Sequence, residues 1–290
     1  MSVTTTPRAG ISPVTPLRWP LRSVADLGGM ASLLVRAVAA PLKGRADAPP
    51  LVRAVLHNAA WMLAMGLPLV ALVHVSFGSF LTMQAYFGAT FTEAAGIVVG
   101  LGLIRNVAPL LSGFVVAGLI CAKIPSELRG GPRPGLDDPR SLPDRDVEQG
   151  LRSDTRPVPS IGRIAFARIA AAALAGPVLS LWGVFVGTTV GMLVSRSMLG
   201  QAPEMFLGKI AGMLDSIDVI GLTVKGVGFA GCAALFATYE GLRPDEQGGP
   251  DPYRAVFRSI VAILFLNFTW FNLVFLAGNP FGPNVVSSTG

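Results

Sequence analysis

GLGLIRNVAPLLSGFVVAGLICAKIP, residues Gly100 to Pro125, is almost wholly apolar, yet it carries Arg105, Asn106 and Pro109 inside it. A helix needs about 20 mostly apolar residues to cross a bilayer, and this stretch is long enough. An ionisable residue within such a segment is costly and marks a candidate functional position. A proline there removes a backbone hydrogen bond, and the freed carbonyl must find a partner in protein or water. The stretch therefore reads as a spanning helix built around a polar interruption.

The rest of the chain agrees with a membrane reading. Of 290 residues, 51% are hydrophobic and 14% are charged, against about a quarter charged in soluble domains. Mean hydropathy is +0.58. Five stretches have spanning length: Ala59–Thr92, Ala94–Ala122, Ile169–Val194, Val219–Tyr239 and Ser259–Gly278. Only Arg105 and Lys225 are charged within them. The fold class expected is an all-α integral membrane protein with five transmembrane helices and an N-terminal amphipathic interfacial helix. Arg and Pro recur through the first fifty residues without an early apolar run, so no cleaved leader is expected.

Lys and Arg counts set the expected orientation, because cytoplasmic loops hold the excess. Residues 1–53 carry seven, 123–168 nine and 243–258 three, against Arg196 and Lys209 on the other side. Alternating loops then place the N-terminus in the cytoplasm and the C-terminus outside, with the chain in a bacterial inner membrane. The net charge of +6 follows this loop pattern and does not suggest nucleic acid.

Three regions are expected: a cytoplasmic N-terminal region over 1–53, a five-span domain over 54–278 and an outer tail over 279–290. Within the domain the spans fall at about 59–92, 94–122, 165–194, 217–241 and 257–278, with a cytoplasmic loop at 124–163. In the first region Val24, Leu27, Ala31, Leu34 and Val38 recur at steps of three and four. This predicts a helix lying in the interface, capped by Ser23 with Asp26 in its first turn; a soluble helix packed on a partner is the alternative. Pro68, Pro109 and Pro177 predict kinked spans. Phe268, Trp270, Phe271 and Phe275 suggest an aromatic belt at the outer surface. Gly183, Gly187 and Gly191, and likewise Gly96 and Gly100, are spaced four apart. Such grooves admit close helix packing, within the chain or between subunits with equal weight.

Catalytic and metal signatures are missing. GGPRPGLDD lacks the GK[ST] of a phosphate loop, and no HExxH, GxSxG or dinucleotide fingerprint occurs. Cys121 and Cys232 lie in oily segments without a CxxC, and His57 and His74 have no second ligand at metal spacing. No cofactor is expected on this chain, and any uphill transport must draw on an ion gradient or a separate ATPase.

The run from Ile104 to Leu128, IRNVAPLLSGFVVAGLICAKIPSEL, resembles the signature of the MlaE/YrbE permeases, the membrane subunits of MCE-associated lipid transporters. Arg105, Pro109, Ala117, Gly118, Ala122, Glu127 and Leu128 match in register; Asn106 replaces a family glutamate and Leu119 an arginine. Glu148 and Gln149 precede Arg168 as the family's EQ pair precedes its arginine. Asp218, Lys225, Phe229, Tyr239, Gly241 and Leu242 match the family's fourth span, and Asn267 stands where the family has an aspartate. The resemblance covers about 54–277.

It implies a non-catalytic permease subunit, working as a dimer and powered by a pair of cytoplasmic ABC ATPase subunits that hold ATP and Mg. MCE-domain proteins would receive or supply lipid on the outer side. Phe80, Met83, Gln84 and Phe87, with Arg105 and Asn106, would line a lipid-binding pocket. Glu148, Gln149, Leu151 and Arg152 would form the ATPase-coupling segment. Between Glu127 and Glu148 lies a Pro- and charge-rich insert, and after Gln149 the family's apolar residues become Gly150, Arg152 and Ser153. A helix seated in an ATPase groove needs an apolar face, so a second, paralogous permease with an orthodox coupling segment is the expected partner. A gradient-driven transporter or channel, and more remotely a lipid-modifying membrane enzyme, are the alternatives.

Overall fold

The computed structural model describes residues 18–41, 51–88, 95–130, 160–243 and 251–276. All regular structure among them is helical: α1 (Arg18–Ala39), α2 (Leu51–Gly88), α3 (Ala95–Gly102), a π-helical turn (Leu103–Val107), α4 (Ala108–Gly130), α5 (Ile161–Leu199), α6 (Pro203–Met213), α7 (Ser216–Gly241) and α8 (Pro252–Leu276). Five spans are long and apolar enough to cross a membrane: α2, the run from α3 through α4, α5, α7 and α8.

α2 and α5 have 38 and 39 residues. At 1.5 Å per residue each is nearly 60 Å long, roughly twice a bilayer's hydrocarbon thickness. Both therefore project beyond the apolar slab and continue further than the hydrophobic runs alone suggest. α2 begins at Leu51, so Arg53 and His57 belong to its first turns.

The core runs between α2, α4, α5 and α7 and is built mainly of small side chains. Ala171, Ala172, Ala175, Ala230, Ala234 and Ala237 fill it with Val70, Val116, Ile120 and Leu179. Small residues matter because lipid tails are as apolar as leucine, so close van der Waals contact has to hold the helices together. Gly78 lies against the carbonyl of Gly187, and Gly176 against that of Gly226. At neither position is there room for a Cβ. Gly183 faces His74, where a methyl group would lie 2.5 Å from Nε2, and Gly191 faces Val99 and Thr82. The glycine stripe of α5 thus packs on α2 and α3 of the same chain. Gly96 and Gly100 receive Phe206 and Ile210 of α6, a short helix between the third and fourth spans that the hydropathy reading did not anticipate. α5 is closed by Gly200 at φ 64°, whose N–H bonds the Arg196 carbonyl, a left-handed cap that glycine adopts without strain.

α1 departs from expectation at its N-terminus. It already starts at Arg18, so Ser23 is not its cap and Asp26 is not in its first turn. The face that packs on α5 and α7 carries Asp26, Met30, Leu33, Ala37 and Ala40. The stripe singled out from the sequence, Val24, Leu27, Ala31, Leu34 and Val38, points away from the protein. The interfacial reading expects this stripe to face lipid, while a second stripe at the same period meets the protein.

Candidate polar site within the spans and its surroundings

The π-helical turn lies at the polar interruption. The Ala108 N–H bonds the Leu103 carbonyl, five residues back. Pro109 has no N–H, so the Arg105 carbonyl loses the donor that an α-helix would supply. Lys225 of α7 fills that role: its Nζ donates to the Arg105 oxygen at 2.7 Å. Local sequence and long-range partner fit each other, as a freed carbonyl at membrane depth requires.

The Arg105 side chain is held from the same helix. Its Nε and Nη2 donate to Asp218 Oδ1 and Oδ2 at 2.7 and 3.1 Å, a bidentate pair. Asp218 is buried and also accepts from the Asp215 N–H, closing the capping box that starts α7. The guanidinium is half-exposed, with 54% of its side-chain surface open. Asn106 beside it is exposed as well. Lys225 is buried and has no carboxylate within ion-pair distance among the described residues. Asp215, the N-cap of α7, adds a second carboxylate whose charge acts on Arg105, so Arg105 and Lys225 face two acids near the start of α7.

Phe80, Met83, Gln84 and Phe87 all lie exposed on the last turns of α2. Phe80 meets Phe77 edge-on and Phe87 meets Tyr86 likewise. No hydrogen bond or ring contact among the described residues joins this apolar group to Arg105 and Asn106. The two groups form an oily wall and a polar spot open to the surroundings. Glu148, Gln149, Leu151 and Arg152 lie outside the described residues.

Further charged residues cluster at the opposite end of the spans, where the basic termini of α2, α4, α5, α7 and α8 gather. Lys123 lies 3.5 Å over the Trp61 ring and 3.5 Å from Glu127, which also accepts from Arg168 at 3.2 Å. A second cluster binds α1 to the bundle. Asp26 accepts from Arg243 and Tyr239, and from Arg258 at 2.7 Å. Glu240, fully buried, accepts from Arg258 at 2.8 Å and lies 3.8 Å from Arg254. Burial by itself would raise the Asp26 carboxyl, but hydrogen bonds and charge from Arg258 and Arg243 outweigh it and hold the group below the usual carboxylate range. Sequence reasoning counted these arginines only as loop charge. The overlooked signal was Glu240 at the end of the fourth span and Asp26 on α1, acids able to pair with them.

His74 is fully buried, with Nδ1 2.8 Å from the Val70 carbonyl. Cys121 lies 3.4 Å from the Ser259 hydroxyl. Among the described residues no group of three His, Cys, Asp or Glu is placed to hold a metal ion.

The family model described as Permease MlaE matches residues 153–272. A protein of Rickettsia bellii named "Probable ABC transporter permease protein" is 29% identical over 215 residues, covering 72% of this chain and 78% of its own length. One of Synechocystis with the same description is 28% identical over 208 residues, covering 69% and 73%. One of Rickettsia typhi is 27% identical over 234 residues, covering 78% and 85%. The similarity agrees with the resemblance drawn from the sequence; the family model takes in the Asp218 segment, and the Arg105 segment lies outside the residues it matches.

Proposed function

We propose that this divergent relative of the MlaE permeases is the membrane subunit of an ATP-driven lipid transporter of the MCE-associated kind. The similarity to ABC transporter permeases supports the general assignment. The lipid cargo is our reading of the site. The observation that carries it is the combination of an oily wall on α2 with an open polar spot at Arg105 and Asn106, the guanidinium half-exposed. An amphiphile carrying a polar head and long chains has chemistry complementary to both.

In this reading the chain binds lipid between its helices and passes it to or from MCE-domain proteins on the outer side. A pair of ABC ATPase subunits supplies the energy from the cytoplasm, engaging the loop around Glu148, Gln149, Leu151 and Arg152. A second permease, a paralogue with a more apolar coupling segment, completes the dimer. The N-terminus is cytoplasmic and the C-terminus outside, consistent with the gathering of α1 and the basic helix ends at one end of the bundle.

Purification of the tagged chain from its native membrane, followed by mass spectrometry of subunits and lipids, tests this. The expected result is an ABC ATPase, a second permease species, an MCE-domain protein and co-purified lipid. A particle with no nucleotide-hydrolysing subunit contradicts the proposal; one with a single permease species contradicts the heterodimer.

A further inference from the structure

α7 carries Asp218 and Lys225, which hold Arg105, in its first half. Its other end, at Tyr239 and Glu240, is fastened to α1 by a single acid. Asp26, with 11% of its side chain exposed, accepts from Tyr239, from Arg243 just past α7 and from Arg258 of α8. Arg258 turns its other nitrogen to the buried Glu240, so one guanidinium joins α1, α7 and α8. A carboxylate that takes charged donors from the end of α7 and the start of α8 fixes α1 in register as well as in place. Beside it, a Cβ on Gly29 would come within 2.7 Å of the Tyr239 ring. Near its own end α1 meets the start of α5. A Cβ on Gly162 would lie 2.6 Å from the Arg36 carbonyl, and Leu33 and Ala37 pack with Ala165. α8 packs mainly on α4 and α7, so α1 bridges the start of α5 to the end of α7 and the start of α8.

We infer that Asp26 is a positioning residue for energy coupling: its lock makes α1 a strut that holds the start of α5 in register with the ends of α7 and α8. The inference rests on the proposed function, in which the segment leading into α5 engages an ATPase. A buried ion pair adds little net stability over a well-packed apolar substitute; what this one supplies is a single defined geometry. α5 and α7 also pack on each other directly, through alanines such as Ala172, Ala175, Ala230 and Ala234. Van der Waals contact of that kind has no direction, whereas the lock does. Motion imposed at the start of α5 passes through α1 to the end of α7, and along α7 to Asp218 and Lys225 and so to Arg105. Without the Asp26 charge, Arg243 and Arg258 keep only Glu240 between them. α1 then lets go, and the motion reaches the polar site weakened.

The test places the complex co-purified with the full-length chain in proteoliposomes and reads ATP hydrolysis and fluorescent phospholipid transfer on the same sample. Asp26→Asn keeps hydrolysis and lowers the lipid moved per ATP about fivefold, within the range for changes along a coupling network. Asp26→Glu, which keeps the charge, restores most of it. Tyr239→Phe removes one donor to Asp26 without changing charge and lowers the ratio about twofold; it carries the test where Asp26→Asn does not assemble. A role in stability alone lowers hydrolysis and transfer together and leaves their ratio at the wild-type value. That result overturns the inference, as does a wild-type ratio in Asp26→Asn, or in Tyr239→Phe where Asp26→Asn does not assemble. A wild-type complex that moves no lipid with ATP fails at an earlier point: it overturns the proposed function, and this inference with it.

Discussion

Arg105 sits in a helix whose own chemistry leaves its carbonyl without a donor, and both ends of the residue are satisfied from α7: Lys225 at the backbone, Asp218 at the side chain. Asp218→Asn removes the countercharge and leaves the guanidinium unpaired in an apolar setting. The expected cost is about 1–2 kcal/mol, read as a lowered thermal midpoint in detergent. Combined with Arg105→Gln it should be strongly non-additive, because each single change removes the same pair. Asp26 gives a pH prediction. Its folded carboxyl titrates below an unfolded reference of about 4, so its contribution is complete above that pH and fades as pH falls through the lower folded value. Hydrogen exchange in α1 should be constant at neutral pH and rise only below about pH 4. Asp26→Asn should show the faster exchange at neutral pH already. The Arg105 pair was partly legible: an arginine in a span and an aspartate opening the next matched segment are both visible in the sequence. The Lys225 bond follows from Pro109 four residues after Arg105, but which cation would reach that carbonyl depends on the packing of two distant helices.

Helices here meet through glycine and alanine, and substitutions should divide sharply by which face they occupy. Gly78→Leu places a branched side chain against the Gly187 carbonyl. Overpacking of this kind costs about 1–3 kcal/mol or more, so the variant should show poor yield or a markedly lower thermal midpoint. A methyl group at Gly228 would meet no neighbour within 4 Å, and Gly228→Ala should be neutral or slightly stabilising, since glycine is the poorer helix former. Thermal unfolding of the two variants side by side makes the comparison. Spacing alone identified Gly183, Gly187 and Gly191 as a close-packing stripe. It did not identify the partner helix, because that choice depends on topology. α6 escaped notice because eleven residues with Glu204 and Lys209 fall below spanning length, and the face of α1 that packs on the bundle was not singled out because a second apolar stripe shares its period.

At the level of the whole molecule, five long helices enclose a small-residue core, with charge gathered at one end and a polar spot at membrane depth. Composition and Lys/Arg placement made this architecture legible, since the bilayer constrains helix length and loop charge more tightly than water constrains a soluble fold. Cysteine labelling from either side should find the N-terminus and the loop over 131–159 cytoplasmic. The central claim is lipid movement powered by ATP, and the most direct measurement is transfer of fluorescent phospholipid by the co-purified complex in proteoliposomes. The account predicts transfer that requires hydrolysable ATP and falls at least several-fold in Asp218→Asn. Transfer indifferent to ATP but driven by an imposed ion gradient, or ATP hydrolysis with no lipid movement at all, would contradict it.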